Sequence, residues 1–527
     1  MGQPTKKEMG FSMENSRTFN SIRNIFFGAF NRFVSIFFPF LVRTIFIKAL
    51  GEEYLGLNGL FSSILQVLNL ADLGFANAIV ASMYKPIADG DVDKVSALLN
   101  LYRRIYKVIG FGILSVGILL TPFIDKLIHG VPPADINIYL LWLLYLTNTV
   151  VSYLFFAYKI SLINAHQRND ITENIGTLCK VFFGIIQIVV VAVFKSIYLY
   201  VLLTITLSVV YNLWCSFECQ KRFPQYVCRG ELDKETKKNI SKNIGALALQ
   251  KIGNTVSVSL DSVIISAFLG LRIVAIYGNY YYVVSAVAAF VNLIYCAITA
   301  SIGNSIATET PQKNLKDLSK IITLNTWIIG WCCICFMCLF QDFMIVWMGE
   351  DLLFSLGTVF LLVMRFFFDQ IRKVVLTYKD AAGMWWADKW RPLVGCTVNL
   401  ILNVVFVKTI GVAGVMLSTI ISYALIEMPW ETHVLFKVYF HQSEGKYYLK
   451  MLSTSAGILV AGIITFLICS RILINHVAAI AVKLVICSIV PNVIVIAINM
   501  RNQDFLESVA FIKNAFGGII AKQKRTT

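Results

Sequence analysis

The chain has 527 residues, 57% of them hydrophobic and only 14% charged, where soluble domains carry about 25% charged residues; its mean hydropathy is +0.71. That composition excludes a soluble domain or a string of them, which would show polar linkers between cores. The net charge of +16 is then a matter of membrane topology rather than of nucleic acid binding, and the expected fold class is an all-α integral membrane protein.

A membrane-crossing helix needs about 20 apolar residues, and about fourteen such stretches run along the chain. The first, from about Ile22 to Leu50, far exceeds the roughly 7–15 apolar residues of a signal peptide, so it is expected to remain as a span centred near Ile36. The rest centre near Leu70, Leu114, Val150, Ile185, Leu207, Val258, Val287, Ile329, Phe360, Leu400, Ile420, Val460 and Val490. The break at Lys408 to Gly414 is short.

Placing the N-terminus in the cytoplasm puts roughly 34 of the Lys and Arg residues on the inner side, about 6 outside and about 6 within spans, as positive residues accumulate in cytoplasmic loops. The inner set includes Arg103 and Arg104, the run from Lys221 to Lys242, Arg372 to Arg391, and the tail ending Lys522, Lys524 and Arg525. Outer loops are short. The break at Lys221 to Asn243 carries both signs of charge and reads as a solvated connector.

The segments on either side of that connector match at one constant displacement. Leu50-Gly51 falls on Leu269-Gly270, Gly59 on Gly278, Arg23-Asn24 on Lys242-Asn243, and Arg32 on Lys251. Two six-span repeats would insert in the same orientation, a parallel arrangement used by transporters. The expected organisation is an N-terminal lobe at 1–219, a cytoplasmic connector at 220–243, a C-terminal lobe at 244–440, an extra helix pair at 441–500 and a basic cytoplasmic tail at 501–527. The bland alternative is chance similarity between apolar segments.

Charges within spans cost roughly 2.5–3.5 kcal/mol each on insertion scales, so they should face water or one another. Those expected are Arg32, Arg43, Asp72, Lys180, Lys251, Asp261, Arg365, Asp369 and Lys483. At about 100° per residue Arg32 and Arg43 return to one face of the first span, with Ser35 and Pro39 between them. Asn58, Ser62, Asn69 and Asp72 share a face of the second span. Lys251, Asn254, Thr255 and Ser262 make a similar strip with Asp261 at its edge. Against this, Arg32, Lys251 and Arg43 could snorkel to the interfaces, and Arg365 and Asp369, four apart, could neutralise each other.

Other chemistry finds less support. Cys335-x-x-Cys338 has the spacing of a metal or redox pair, yet it lies mid-span without a nearby His, and small apolar packing is the simpler reading. No metal site or cofactor is expected. There is no Walker-type phosphate loop, and the outer acidic pairs Glu52-Glu53 and Glu350-Asp351 sit in short turns, so the chain is not expected to be an enzyme.

The stretch Phe40-Leu41-Val42-Arg43-Thr44, then Leu50-Gly51-Glu52-Glu53-Tyr54-Leu55-Gly56-Leu57-Asn58-Gly59-Leu60, resembles the opening of bacterial polysaccharide-biosynthesis flippases. So do Leu70-Ala71-Asp72-Leu73-Gly74-Phe75-Ala76-Asn77-Ala78, Met83-Tyr84-Lys85-Pro86 and Leu99-Asn100-Leu101-Tyr102-Arg103. These flippases belong to the multidrug/oligosaccharidyl-lipid/polysaccharide (MOP) exporter superfamily. The resemblance implies about fourteen transmembrane helices in two six-helix, MATE-like lobes around a central cavity, plus two C-terminal helices. It implies a cargo of polyprenyl-diphosphate-linked oligosaccharide, carried from the cytoplasmic to the outer leaflet of the bacterial plasma membrane, with glycan polymerases and assembly enzymes as further partners.

An excess of buried cations suits a diphosphate, which Arg can grip in bidentate fashion. The expected substrate-binding set is Arg32, Arg43, Lys180, Lys251 and Arg365. The polar groups available for coupling to sodium, protons or membrane potential are Asn58, Asn69, Asp72, Asn254, Asp261 and Asp369. A cation-coupled multidrug exporter of the same superfamily would instead want free acids in its cavity, and a membrane scaffold would tolerate charge substitutions throughout.

Overall fold

The computed structural model describes residues 31–69, 75–130, 132–234, 255–256, 259–384, 386–500 and 505–507. Asp72, Lys251 and Asn254, three of the expected site residues, lie outside them.

The described residues are built from helices joined by short breaks, and the breaks follow local chemistry. In the first half these are α1 (Asn31–Leu50), α2 (Glu52–Leu68), α3 (Phe75–Ala88), α4 (Val92–Leu120), α5 (Ile138–Leu154), α6 (Ala157–Ala165), α7 (Asn169–Phe194) and α8 (Ile197–Arg222). After the connector come α9 (Ser259–Leu269), α10 (Leu271–Thr308), α11 (Pro311–Met348), α12 (Leu356–Ile371), α13 (Lys373–Ala381), α14 (Arg391–Ile410), α15 (Val412–Phe440), α16 (Gly445–Cys469) and α17 (His476–Asn499). Side-chain caps start many of them: Asp91 accepts from the Lys94 N–H, Asn137 from Leu140 and Thr310 from Lys313, the last with Pro311 at the first helical position. Each satisfies a backbone donor that the helix leaves orphaned.

Ten helices among the described residues are long and apolar enough to cross a membrane, and α5 with α6, bent by 46°, makes an eleventh. The bend falls at Phe156, whose φ of 59° is left-handed. The expected centres Leu70 and Val258 lie outside the described residues, next to α2 and α9, and the span expected near Phe360 coincides with α12; the described helices there are shorter, so a count of fourteen is approximate. The short break expected after Lys408 is real: Gly411 at φ 64° separates α14 from α15. Large apolar side chains lie exposed along the outer faces, among them Val108, Phe182, Phe217, Leu425 and Leu449. That surface suits lipid and would be an aggregation hazard in water.

Extensive helix pairing falls within α2–α8 and, separately, within α10–α15, with α2 against α10 joining them. That crossing is close because Gly56 lies against the Leu271 backbone: a Cβ there would sit 2.2 Å from the Leu271 carbonyl oxygen. The α1–α2 and α9–α10 junctions match. Gly51 and Gly270, aligned by the sequence repeat, both precede a helix with left-handed φ of 103° and 87° and with ψ of 173° and 172°. An L side chain rarely adopts that conformation, which glycine tolerates. The described part of the connector is held against α4: Arg104 pairs with Glu231 at 3.0 Å and the Asn100 amide donates to the Gly230 carbonyl. Helices α16 and α17 pack on α11.

Candidate functional site

Helix α1 is the element around which the candidate residues gather. Its Arg43 side chain crosses to α10, where Nε donates to Asn279 Oδ1 at 2.6 Å and the guanidinium lies 5.8 Å from the Tyr282 ring centre. Gly278 makes room for this, since a Cβ there would meet Arg43 Nη2 at 2.8 Å. Asn279 is fully buried and, among the described residues, its Nδ2 has no acceptor.

On the α7–α8 side of Arg43 lies a hollow of about 280 Å³. Phe38, Pro39, Asn58, Lys180, Gln187, Tyr200, Thr204 and Tyr282 are among its lining residues. Lys180 Nζ donates to Ser35 Oγ at 3.2 Å, and Asn58 accepts from the Tyr145 hydroxyl at 2.6 Å. Two cations face this space, and among the described residues none that lines it is an acid. The electrostatic consequence is a receptive place for an anion, because a charge-assisted N–H···O bond in a partly buried site is stronger than a neutral one.

A second hollow, of about 290 Å³, lies on the other side of the α1–α10 contact, where Tyr282 donates to the Ile36 carbonyl at 2.5 Å. Arg32 of α1 reaches its edge, opposite Tyr281, Asn292, Arg365, Asp369, Lys373 and Tyr423. The structure therefore brings Arg43, Asn58 and Lys180 together in one space and Arg32, Arg365 and Asp369 in another. Asn69 ends α2 and lines neither.

Arg365 does not make the expected i, i+4 pair with Asp369. Its Nη1 pairs with Asp261 at 2.7 Å and donates to the Tyr277 hydroxyl at 2.5 Å, while Asp369 lies 3.6 Å from Lys373. Asn403 donates to the other Asp261 oxygen at 2.9 Å. The reason is register: Asp261 on α9 meets Arg365 on α12 fully buried, and a buried charge is tolerable only when paired and hydrogen-bonded. Asp261 and Arg365 thus satisfy each other rather than standing open to solvent.

A larger charge cluster escaped the sequence reading altogether. Arg372 binds Glu431 at 2.5 Å and also Glu427; Arg391 Nη1 binds Glu427 at 2.7 Å and Glu431 at 2.5 Å; Asp388 joins Arg391 at 2.9 Å and also holds Lys379. All six are buried. The Arg372–Arg391 stretch, expected on the inner side, is the centre of a balanced, buried network of three cations and three acids. The acids Glu427 and Glu431, one turn apart within an apolar run, were the available signal. For the first hollow, the missed residues are Asn279 and Tyr282, and the run Tyr280-Tyr281-Tyr282 inside a span was the cue.

The described residues form a multi-span helical architecture with polar hollows on either side of the α1–α10 contact. A family model described as polysaccharide biosynthesis protein matches residues 21–300, and the chain belongs to that family. Among solved structures it is similar to a lipid II flippase, MurJ, in an inward closed conformation: TM-score 0.68, 14% identity, covering 91% of this chain and 99% of that one. It is also similar to an inward-facing multidrug resistance MATE family transporter of the MOP superfamily, with TM-score 0.56, 14% identity and coverage of 81% and 95%. A point mutant of the Vibrio cholerae MATE transporter VcmN follows with TM-score 0.51, 15% identity and coverage of 78% and 96%. A search of curated proteins finds no match. The protein is a multi-span member of the polysaccharide biosynthesis family that shares its fold with these structures.

Proposed function

We propose that this protein moves a polyprenyl-diphosphate-linked oligosaccharide from the inner to the outer leaflet of a bacterial plasma membrane, with Arg43 and Lys180 receiving the diphosphate. The observation that carries the reading is the sign of the first hollow: two cations and no acid among its described lining residues. An exporter of cationic drugs would need an exposed carboxylate there, whereas Asp261 is buried against Arg365. Arg32 and Lys373 at the second hollow add positive charge, offset in part by Asp369. In this scheme the headgroup exchanges the Arg43–Asn279 bond for phosphate–guanidinium bonds, and the Asn279 Nδ2 supplies a further donor.

The test is glycan export in a strain lacking the chromosomal copy. Arg43→Ala should reach the membrane at normal abundance and leave lipid-linked oligosaccharide on the inner leaflet. A lost bond to a charged group is worth about 1.5–3 kcal/mol, or roughly a tenfold or greater loss of transport. Undiminished export by that variant would contradict the proposal, as would drug resistance conferred by the wild-type chain with no change in glycan.

A further inference from the structure

Helices α16 and α17 bring to α11 a constellation that the transport reading leaves unused. The Sγ atoms of Cys338 on α11, Cys469 at the end of α16 and Cys487 in the middle of α17 all lie within 4.8 Å of one another, and all three residues are buried. Cys335, one turn along α11, packs against the same cluster of buried residues. The Cys335-x-x-Cys338 spacing, uninformative by itself, thus gains its missing partners from two other helices.

We propose that these cysteines form a site for a thiophilic d10 cation, zinc being the reference ion, with Cys338, Cys469 and Cys487 as ligands and Cys335 as the fourth. Zinc–sulfur bonds are about 2.3 Å, so tetrahedral ligands stand about 3.8 Å apart. Small side-chain rotations close the remaining distance. Each thiol would release a proton on binding, and the anionic centre that results needs compensation. Lys483, one turn from Cys487 on α17, supplies part of it, shared with Asp342, which stands one turn from Cys338 and pairs with Lys483 at 2.5 Å. His476, with 44% of its side chain exposed, accompanies Asp342 at 2.7 Å and gives an ion a polar approach from the surface.

The core joining α16–α17 to α11 also favours such a clamp. It is a separate cluster of eight buried residues, three of which are these cysteines, the others being Ile334, Ile458, Ala461, Val495 and Phe505. So small a core gains much from a metal that links three helices.

The measurement is metal content of the full-length protein purified in detergent, after incubation with zinc and removal of excess. The wild type should retain about one zinc per chain, the stoichiometry of a closed thiolate site. Cys469→Ser/Cys487→Ser should lose it, and Cys215→Ser/Cys219→Ser on α8 should keep it. Cobalt added to the wild-type chain should give thiolate-to-metal charge-transfer absorption, a readout that depends on no variant folding. Absence of both zinc and the cobalt band, equal zinc in all three chains, or a disulfide among these cysteines in the purified protein would overturn the site.

Discussion

The Arg43 hollow and the Arg372–Glu431 network use the same kinds of side chain to opposite ends. At the network every guanidinium meets a carboxylate, and Arg372, Lys379, Arg391, Asp388, Glu427 and Glu431 are all buried. Nothing there is left over for a ligand. At the hollow, among the described residues, Arg43 has the neutral Asn279 and an aromatic face, and Lys180 a hydroxyl. The difference teaches that charge in this membrane protein is structural where acids balance it and available where they do not.

Breaking the network should have the largest effect. Glu431→Ala leaves Arg372 and Arg391 short of a buried partner, at a cost of about 3–5 kcal/mol. The expected result is low membrane yield and a clearly lowered unfolding temperature in detergent. Converting the hollow into a copy of the neutralised region comes next. Asn279→Asp would place a carboxylate on Arg43, as Asp261 sits on Arg365, and should abolish export about as fully as Arg43→Ala while the protein remains at normal abundance. Transport unaffected by that added acid would erase the distinction between the two regions.

The smallest effect is expected outside the spans. The Glu444 carboxyl is held below its usual range by its own backbone N–H and by His433, whose Nδ1 lies 3.3 Å away. A depressed folded-state value means that its contribution is present above the unfolded pKa of about 4.3 and fades as pH falls through the lower folded value. Glu444→Gln should therefore flatten the acid limb of a stability-versus-pH curve slightly and leave the neutral region alone. An unchanged acid limb would show the pair to be without consequence, as many exposed pairs are.

Much of the architecture was written in the chain. Apolar length marks most of the spans, because a helix in lipid must satisfy its backbone internally over a fixed thickness. The displacement relating Leu50-Gly51 to Leu269-Gly270 identified two glycines that share one left-handed conformation. Arg43, Asn58 and Lys180 were each legible as polar residues in apolar runs. Their meeting was not, since they come from α1, α2 and α7.

What the sequence alone determined, then, was which segments enter the membrane and which charged residues they carry, both being local properties of composition and period. The tertiary structure decided which charges stand paired and which stand open. Asp261 could have served Lys251, Arg43 or a coupling ion on sequence grounds, and only the packing of α9 against α12 gives it to Arg365. Pairing depends on distances of a few ångströms between helices far apart in the chain, and at that range, in a medium of low dielectric, a single neighbour outweighs every local preference.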